Sequence, residues 1–461
     1  MVMGDLVREV EVAVVGGGPA GYSAAFRCAD LGMEVVVVDA SARLGGACLY
    51  EGCIPSKALL HVAAVIHEAF RARDFGVELG PARIDLPALR TWMAERVIGR
   101  LARGLAGAAR AKGVEVIGGR AAFEDSRTIR VDGESTQRLR FGHAVVATGS
   151  VPASLCGISP GPRVMDSAAA LELADVPERL LVVGGGYIGL ELGQVYAALG
   201  SRVTLVEMTD GLLAGADRDL VPPLARRVEA LFAAVHLGAT VAALRDTGAR
   251  VEVQLGGGEA LEFDRVLVAV GRRPLTEGLG LSTTRVRPDA RGAIAVDERG
   301  ATLDPRIFAV GDVTGDPMLA HRAMRQGTVV AEVIGGRPSA FDNVAVPAVV
   351  FTDPEVAWCG LTESEAERKG RPVRVARVPW GGSGRAVSLG RPDGLTKILA
   401  DPESGRVLGV GIVGPGAGEL IAEGALAVEA ALLVEDLAAT IHTHPTLSET
   451  LMEAAARLLE G

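Results

Sequence analysis

Short apolar runs that enter glycine turns recur along the chain. Residues 11–15 have the pattern of a buried strand and lead into the turn Gly16-Gly17-Gly18-Pro19-Ala20-Gly21. The pattern over residues 22–32 predicts a helix, and a second apolar run over residues 35–38 predicts a strand. That strand ends on Asp39, where a dinucleotide-binding unit places an acid for a ribose hydroxyl. The pattern therefore predicts one complete strand–helix–strand nucleotide unit.

The same pattern returns later in the chain, with Gly184 in the place of Gly16. An apolar run over residues 180–183 enters Gly184-Gly185-Gly186-Tyr187-Ile188-Gly189, a helix is predicted to about Gly200, and the strand 203–206 ends on Glu207. One glycine fingerprint alone is weak evidence, whereas two that both have their acid in place are strong. We therefore expect two dinucleotide sites in this chain.

Two further segments, residues 144–149 and 266–274, also read as strands that enter glycine turns. They divide the chain into a first domain over residues 1–150, an inserted domain over 151–275, a return to the first domain over 276–340 and a terminal domain over 341–461. The alternation of strands and helices indicates an α/β fold.

Composition agrees with this fold and excludes several kinds of partner. The 60 glycines and 4% aromatic residues suit tight strand-to-helix turns. The net charge is −10 with no basic run, so we expect no nucleic-acid partner, and no charge-free stretch is long enough to predict a membrane span. Five cysteines without an export signal favour a reducing compartment, the cytoplasm, where any disulfide is expected to be catalytic. Cys28, Cys156 and Cys359 are isolated, so no metal centre is expected.

The remaining two cysteines form the most reactive pattern in the chain. On a regular helix Cys48 and Cys53 would be displaced by about 7.5 Å along the axis, too far for a disulfide. We therefore expect Cys48 on a loop or distorted turn before a regular helix. Pro55 suits the first turn of that helix, and a helix N-terminus with Lys57 nearby lowers a thiol pKa. The pair is predicted to exchange thiols with a substrate.

The cysteine segment resembles a known family. Gly45-Gly46-Ala47-Cys48, four further residues and Cys53-Ile54-Pro55-Ser56-Lys57, after a nucleotide unit, are similar to the class I pyridine nucleotide-disulfide oxidoreductases. Within that class, three segments most resemble dihydrolipoamide dehydrogenases: Cys53 to Leu60, Met318-Leu319-Ala320-His321, and His442-Thr443-His444-Pro445-Thr446-Leu447-Ser448-Glu449. The resemblance spans nearly the whole chain. It implies an α/β protein with two Rossmann-like domains, one for FAD and one for NAD, and a C-terminal α+β dimerisation domain.

The resemblance also implies a reaction and the residues that perform it. Cys48 would exchange with dihydrolipoamide on a lipoyl-carrying protein, and Cys53 would be the thiolate that contacts the flavin ring. Lys57 and Glu191 would form an ion pair near the reactive nitrogen of the flavin. Electrons would pass from the thiols to tightly bound FAD and then to NAD⁺.

The base would be His444, supplied by the partner subunit of a homodimer, with Glu449 orienting it. From the residue pattern alone, Thr446-x-x-Glu449 is also a capping box, which needs no catalytic role, and the two interpretations can coexist. The other histidines considered receive no chemical role: His61, His67, His321 and His442.

The resemblance assigns further residues to the two nucleotide sites. The first unit directly precedes the redox cysteines, so it is expected to bind FAD, and the second is expected to bind NAD. The FAD residues are Gly16, Gly18, Gly21, Asp39, Gly46, Lys57, Ala121, Thr148, Gly149, Asp312 and Ala320. The NAD residues are Gly184, Gly186, Gly189, Glu207, Val241 and Gly271. Glu207 would bond a ribose 2′-hydroxyl and repel a 2′-phosphate, and no Arg or Lys follows it before Ala216, so NAD is favoured over NADP.

Two alternatives remain open from the sequence. The chain could be a reductase of glutathione, mercuric ion or another disulfide, although residues 454–461 contain no cysteine pair. It could also be a non-catalytic flavoprotein subunit. Three positions depart from the family pattern: Asp39 replaces Glu, Tyr187 replaces an aliphatic residue, and Tyr50-Glu51 replaces Asn-Val. We hypothesise that Glu51 opposes thiolate formation by like charge, unless it points to solvent.

Overall fold

Both glycine-turn patterns fold as parallel strand–helix–strand units in this computed structural model, which describes residues 7–155 and 161–460. Cys156 lies outside the described residues. The elements of the first unit are β1 (Val7–Val15), α1 (Pro19–Asp30), β2 (Val35–Asp39), α2 (Gly46–Tyr50), α3 (Cys53–Arg71), α4 (Leu86–Thr91), α5 (Gly99–Ala111), β3 (Glu115–Gly118), β4 (Arg120–Phe123), β5 (Thr128–Asp132) and β6 (Thr136–Val146). A π-helical segment, Trp92–Ile98, joins α4 to α5.

The second unit repeats this order of elements. It contains β7 (Ser150–Pro152), β8 (Val164–Met165), α6 (Ser167–Leu171), β9 (Arg179–Val183), α7 (Tyr187–Leu199), β10 (Arg202–Val206), α8 (Pro222–Leu231), β11 (Ala234–His236), β12 (Val241–Asp246), β13 (Val251–Leu255), β14 (Ala260–Phe263), β15 (Arg265–Val268) and β16 (Arg272–Pro274). The chain then returns to the first unit with β17 (Ile307–Ala309) and α9 (Ala320–Ile334).

The two units share one sheet plan. In the first, the order β3-β2-β1-β6 is parallel, β17 adds to β6 in parallel, and β4 and β5 extend β6 as antiparallel strands. In the second, β11-β10-β9-β15-β8 is parallel and β12-β13-β14 forms a separate antiparallel sheet. The central strands are almost completely buried, which explains why they read as apolar runs. The chain thus builds the same nucleotide-binding plan twice.

Two close contacts mark where the chain leaves the first unit and returns to it. Strands β7 and β16 form an antiparallel ribbon, Ser150 opposite Pro274, where the chain enters and leaves the second unit. Helix α9 packs so tightly on α1 that a Cβ at Gly327 would lie 2.4 Å from Ala20 O. Residues 307–334 therefore complete the first unit rather than form a separate one.

The terminal unit is an antiparallel sheet with helices on its surface. Its elements are β18 (Ala348–Val350), β19 (Glu355–Gly360), α10 (Glu363–Arg368), β20 (Arg374–Pro379), α11 (Gly384–Ser388), β21 (Leu395–Ala400), β22 (Val407–Gly414), α12 (Ala417–Glu429), α13 (Val434–Ala439) and α14 (Glu449–Leu459). The strand order is β18-β19-β22-β21-β20. Fully buried Trp380 lies in its core, and its indole N–H donates to Thr396 Oγ1 at 2.9 Å.

A charged cluster around the buried side chain of Lys397 joins the second unit to the terminal one. Lys397 on β21 donates from Nζ to Asp217 at 2.8 Å, to Asp219 at 3.0 Å and to Glu363. Within the described ranges, these three carboxylates form the one group of acidic or other ligating side chains whose ligand atoms lie close enough together to hold a metal ion. Lys397 Nζ bonds all three of them. Arg377 also bonds Asp219 and Glu363. We call these five residues the Lys397 cluster.

One helical stretch among the described residues, Gly46–Phe75, is long and apolar enough to cross a membrane by length and composition alone. It contains the cysteine pair, and 39% of its most apolar window is buried inside the protein. The stretch is also interrupted at Gly52, where φ is −151° and ψ is −112°. It therefore supports no membrane assignment.

Candidate active site

The first glycine of each turn lies against the end of a neighbouring strand. Gly16 has φ +106° and Gly184 has φ +112°, a backbone region that favours glycine. A Cβ at Gly16 would lie 2.3 Å from Ala147 O, and one at Gly184 would lie 2.4 Å from Ala269 O. Any side chain at either position would collide with backbone, so both turns require glycine here.

The third glycine of each turn packs its helix onto the first glycine. A Cβ at Gly21 would lie 1.8 Å from Gly16 O, and one at Gly189 would lie 2.0 Å from Gly184 O. The two turns therefore pack almost identically at these contacts, although Pro19-Ala20 in the first turn is replaced by Tyr187-Ile188 in the second. The predicted dinucleotide fingerprints have equivalent geometry.

The middle glycine of each turn is left open. A Cβ at Gly186 would meet nothing within 4 Å, and one at Gly18 would meet only Gly46 Cα at 3.8 Å. Helices α1 and α7 begin directly after these glycines, and helix N-termini attract phosphate through their free N–H groups. Gly46 itself has φ +56° and approaches Gly18 so closely that a Cβ would lie 2.6 Å from its Cα. Both turns fit the pyrophosphate of a dinucleotide.

The acid at the end of β10 is held by its own glycine turn. Glu207 accepts a hydrogen bond from Gly185 N at 2.6 Å, and from the backbone N and the hydroxyl of Thr209 at 2.8 Å each. Burial opposes ionisation, but these bonds lower the pKa of Glu207 below its usual value. The carboxylate is therefore charged and fixed where a ribose is expected.

The acid at the end of β2 is held in the same way. Asp39 accepts from Gly17 N at 2.8 Å, from Ser41 N at 2.8 Å and from Ser41 Oγ at 2.5 Å. Sequence reasoning missed Ser41 and Thr209, although a hydroxyl residue two positions after each acid is visible in the sequence. The shorter side chain of Asp39 makes the same set of contacts as Glu207.

Ala121 and Val241 occupy equivalent positions in the two units. Each lies two residues after a backbone N–H that donates to the backbone carbonyl of the acid in its unit, Asp39 in the first and Glu207 in the second. These bonds, both 3.0 Å long, run from Gly119 N to Asp39 O and from Ala239 N to Glu207 O. A cavity of about 610 Å³ opens beside the first of them, lined by Ala40, Ser41, Gly118, Gly119 and Asp132 among others. It lies at the end of β2, on the side where the first unit would hold a nucleotide.

The cysteine pair spans a break between two helices. Cys48 lies in the five-residue helix α2, and Cys53 is the first residue of the 19-residue helix α3. The regular helix thus begins after Cys48, as expected, although Cys48 lies in a helical turn of its own rather than in a loop. Pro55 is in the first turn of α3. Both cysteines are free thiols in the structure.

The two thiols are electrostatically unequal. The thiols of Cys48 and Cys53 are close enough to interact, and this interaction is the main cause that raises the pKa of Cys48 and lowers that of Cys53 to about 7. The positive charge of Lys57 also lowers the pKa of Cys53. Cys53 is therefore the thiol of the pair that ionises more readily.

Three units of the fold meet at the carboxylate of Glu191. Lys57 of α3 donates to Glu191 of α7 at 2.9 and 3.2 Å, and Phe351 N, after β18, donates to the same carboxylate at 2.9 Å. The Lys57 ammonium also lies 4.5 Å from the centre of the Phe351 ring. The predicted ion pair is present. Nothing in the sequence indicates the part played by Phe351, because a backbone amide can donate from almost any residue.

Asp312 and Tyr187 also lie close enough to the thiol pair for their charges to interact with it. Ser150 Oγ donates to Asp312 at 2.6 Å, and Arg272 Nε donates to Ser150 Oγ at 2.7 Å. Desolvation raises the pKa of Tyr187 to about 12, and the charges of Arg272, Cys53, Glu191 and Asp312 also act on it. The remaining predicted residues lie on neighbouring segments. Thr148 Oγ1 donates to Leu275 O at 2.6 Å, and Gly149 and Gly271 both have positive φ. Ala320 is the first residue of α9.

Glu51 lies apart from this network. Its side chain is exposed, and the charged groups that act most strongly on the two thiols are Lys57, Glu191 and Asp312. This position favours the alternative in which Glu51 points to solvent.

His444 and Glu449 are paired on the terminal unit. His444 Nδ1 lies 2.9 Å from Glu449 Oε1, and Glu449 Oε2 accepts from Thr446 N at 2.7 Å. The Thr446 amide and His444 both lower the pKa of Glu449. Helix α14 begins at Glu449 with Ser448 at its N-cap, so the capping box predicted with Thr446 at the N-cap is wrong. One bond of that motif is present, from Thr446 N to the Glu449 carboxylate, and the same carboxylate also binds His444. Glu449 therefore holds the loop backbone and the His444 ring at the same time.

The remaining histidines lie elsewhere. His61 and His67 are on α3, as predicted, and His321 Nε2 lies 2.7 Å from Pro347 O. His442 lies between Thr440 O and Glu423. Within residues 7–155 and 161–460, no hydrogen bond or ion pair links His444 to either thiol of this chain.

Comparisons with known proteins find relatives along nearly the whole chain. The family model for pyridine nucleotide-disulphide oxidoreductases matches residues 10–327, and the one for their dimerisation domain matches residues 346–455. A dihydrolipoyl dehydrogenase of Vibrio parahaemolyticus is 45% identical over 459 residues, covering 98% of this chain and 96% of that protein. One of Halobacterium salinarum is 44% identical, covering 100% and 98%. The crystal structure of LpdA from Mycobacterium tuberculosis matches with a TM-score of 0.90 at 31% identity, covering 97% and 100%.

Proposed function

Since this chain belongs to the pyridine nucleotide-disulphide oxidoreductases, we propose that it is a dihydrolipoyl dehydrogenase, which oxidises dihydrolipoamide on a carrier protein and reduces NAD⁺. The observation that carries the proposal is the close pair of free thiols, Cys48 and Cys53, at the break between α2 and α3, with Lys57 lowering the pKa of Cys53. A pair of unequal thiols is what a thiol–disulfide exchange site needs.

The substrate thiolate attacks Cys48 Sγ of the oxidised pair. The Cys48–Cys53 bond breaks, a mixed disulfide forms on Cys48, and Cys53 leaves as a thiolate. A low pKa of the leaving thiol speeds this step, which assigns Cys53 to the leaving position. The second substrate thiol then attacks the substrate sulfur of the mixed disulfide, so that lipoamide is released and Cys48 is regenerated as a thiol.

The proton of the attacking substrate thiol goes to His444. Because a carboxylate only accepts hydrogen bonds, His444 Nδ1 carries the proton that bonds Glu449, which leaves Nε2 as the free acceptor. The His444 side chain is 80% exposed, so Nε2 can reach a substrate or a second copy of the chain. We assign the base of each site to the other copy in a homodimer, in keeping with the match to a dimerisation domain.

The first glycine turn is assigned to FAD and the second to NAD, because the redox pair directly follows the first. The open middle glycines, the free helix N-termini and the fixed acids fit both dinucleotides. When bound, FAD supplies the two-electron acceptor for the reduced thiol pair, and NAD⁺ supplies the exit for those electrons. Lys57, held by Glu191, keeps a positive charge next to the thiolate through the cycle.

We place the enzyme in the cytoplasm, where its substrate would be a lipoyl group on a protein. Cys28 and Cys359 are free and buried, and burial raises the pKa of both thiols to about 12. Such unreactive, unpaired thiols are compatible with a reducing compartment.

Anaerobic turnover with three substrate pairs tests the proposal: dihydrolipoamide with NAD⁺, glutathione disulfide with NADPH, and glutathione disulfide with NADH. We expect turnover with the first pair and none with the other two. Cys48→Ser should abolish lipoamide turnover while FAD stays bound and Cys53 remains a thiolate with a long-wavelength charge-transfer band. Faster turnover with glutathione than with dihydrolipoamide, or an active Cys48→Ser enzyme, would overturn the assignment.

A further inference from the structure

The loop between α13 and α14 carries two histidines in opposite environments. The His444 side chain is 80% exposed, whereas that of His442 is 6% exposed. The His442 ring lies between its own loop and helix α12. Its Nδ1 is 2.9 Å from Thr440 O, and its Nε2 is 2.8 Å from Glu423 Oε1.

Both neighbours of the His442 ring are pure acceptors. A carbonyl oxygen and a carboxylate oxygen can only receive a proton, so each ring nitrogen must donate one and the ring is a doubly protonated imidazolium. The charged groups that act on it are Glu423 on α12 and Glu449 on α14, and both are negative. Burial opposes the charge, but these partners raise the pKa of His442 above its usual value.

The two ends of this loop are anchored differently. At the exit, the Glu449 carboxylate binds both His444 and Thr446 N. At the entry, Ile441 is 96% exposed, so apolar packing of that residue does not hold the chain. The contact of His442 Nε2 with Glu423 ties the entry to α12. Thr440, whose carbonyl accepts from His442 Nδ1, is itself anchored on α13 by its hydroxyl, which donates to Asp436 O at 2.7 Å.

We propose that His442 is a positioning residue for thiol oxidation, which as an imidazolium fixes the loop 440–446 on α12 and thereby sets the place of the His444 ring. The residue touches neither the thiols nor a nucleotide turn within the described ranges, so its effect passes through His444. Displacement of a catalytic group by about 1 Å can cost a hundredfold in rate, so a loop held at one end should show a clear loss. This inference rests on the proposed function.

Three variants and one control test the inference in the FAD-loaded enzyme. His442→Gln cannot bridge both acceptors as a cation, and we expect the kcat for dihydrolipoamide oxidation to fall about tenfold or more, with KM within about twofold. Glu423→Gln keeps the size and one acceptor oxygen but removes the charge, and should cause a smaller loss. The double variant should be no worse than His442→Gln, because both changes break one contact. His61→Gln, the same substitution at an exposed histidine on α3, should leave kcat unchanged.

NADH oxidation by ferricyanide, which bypasses the thiol base, should be unaffected in all four proteins. In the wild type with ¹⁵N-labelled histidine, the His442 ring, identified by its absence from His442→Gln, should stay doubly protonated to a higher pH than free histidine in the same buffer. The inference would be overturned by a His442→Gln kcat within twofold of the wild type, by additive losses in the double variant, or by a His442 ring that loses its second proton at the same pH as free histidine. If His442→Gln damages both assays, Glu423→Gln decides, since a selective loss of thiol oxidation supports the inference and no loss refutes it. A wild-type enzyme that does not oxidise dihydrolipoamide refutes the proposed function itself, which is a separate result.

Discussion

Replacement of Lys397 by methionine should weaken the junction between the second unit and the terminal unit. Methionine keeps the buried stem and removes the charge, so three carboxylates are left facing one another in the Lys397 cluster. The side chains of Lys397 and Asp217 are 1% and 6% exposed, so water cannot replace the lost partner. Breaking a buried ion pair in this way costs about 3–5 kcal/mol.

Remaining contacts place the loss at the lower end of that range. Asp217 still accepts from Glu363 N at 2.9 Å and Ser364 N at 3.1 Å, and Arg377 still bonds Asp219 and Glu363. We therefore expect about 3 kcal/mol, the lower limit for such a pair. For a cooperative unit of about 150–250 residues this corresponds to a fall of about 6–12 °C in melting temperature.

The loss of stability caused by Lys397→Met should be largest between the pKa values of the carboxylates and that of the lysine. Burial would lower the pKa of Lys397, but its three carboxylate partners raise it, so its contribution to stability is complete below about pH 10 and lost above. Burial would raise the pKa of Asp217, but Lys397 and backbone amides lower it, so its contribution is present above about pH 4 and lost as the pH falls further. The difference between wild type and variant should be constant from pH 6 to 9 and shrink towards pH 4.

Thermal melts of the FAD-loaded proteins at one scan rate measure this loss, with Lys369→Met as the matched control on an exposed lysine. Hydrogen exchange should also become faster at residues 215–221 and at the start of α10. If Lys397→Met melts within about 2 °C of the control, or if the difference grows towards acid pH, then the cluster does not stabilise the junction as argued.

Three further predictions concern the reaction. His444→Gln should slow thiol oxidation about a hundredfold and spare NADH oxidation by artificial acceptors, and equal losses in both assays would contradict a role as base. Glu207→Ala should weaken NAD⁺ binding more than NADP⁺ binding, because a hydroxyl partner is lost and a repulsion is relieved; an unchanged preference in titrations would remove Glu207 from the site. Glu51→Val should move the pH midpoint of the charge-transfer band by less than about 0.3 unit, because Glu51 is exposed. A shift near one unit would instead restore the hypothesis that Glu51 tunes the thiols.

Features that depend on a few neighbouring residues could be predicted from the sequence. The glycine turns, the acids after them and the cysteine pair each lie within one short segment of the chain, and local geometry requires their residue types. Glycine at position 16 or 184 is needed because a Cβ would strike backbone at 2.3 or 2.4 Å. The resemblance supplied the residues that are distant in sequence, such as Glu191 and His444.

Contacts that join distant segments through general chemical groups could not be predicted. Phe351 contributes a backbone amide, which almost any residue has, and it lies 160 positions from Glu191. The Lys397 cluster joins residues up to 180 positions apart, and nothing in the pattern of β21 marks one lysine as fully buried. The capping box was placed in the wrong register because Ser448 and Thr446 both suit an N-cap, and only the folded chain selects between them.

The acids of the two glycine turns have a consequence for repeated turnover. Glu207 is already charged, oriented and bonded to Gly185 and Thr209 by the chain itself. At the NAD site proposed for this turn, an exchanging coenzyme would not have to order the carboxylate each time it arrives, and none of its binding free energy would be spent on that step. Product departure likewise leaves the turn folded. A permanently bound flavin gains little from such a preformed acid, whereas a nicotinamide that enters and leaves in every cycle gains from it each time.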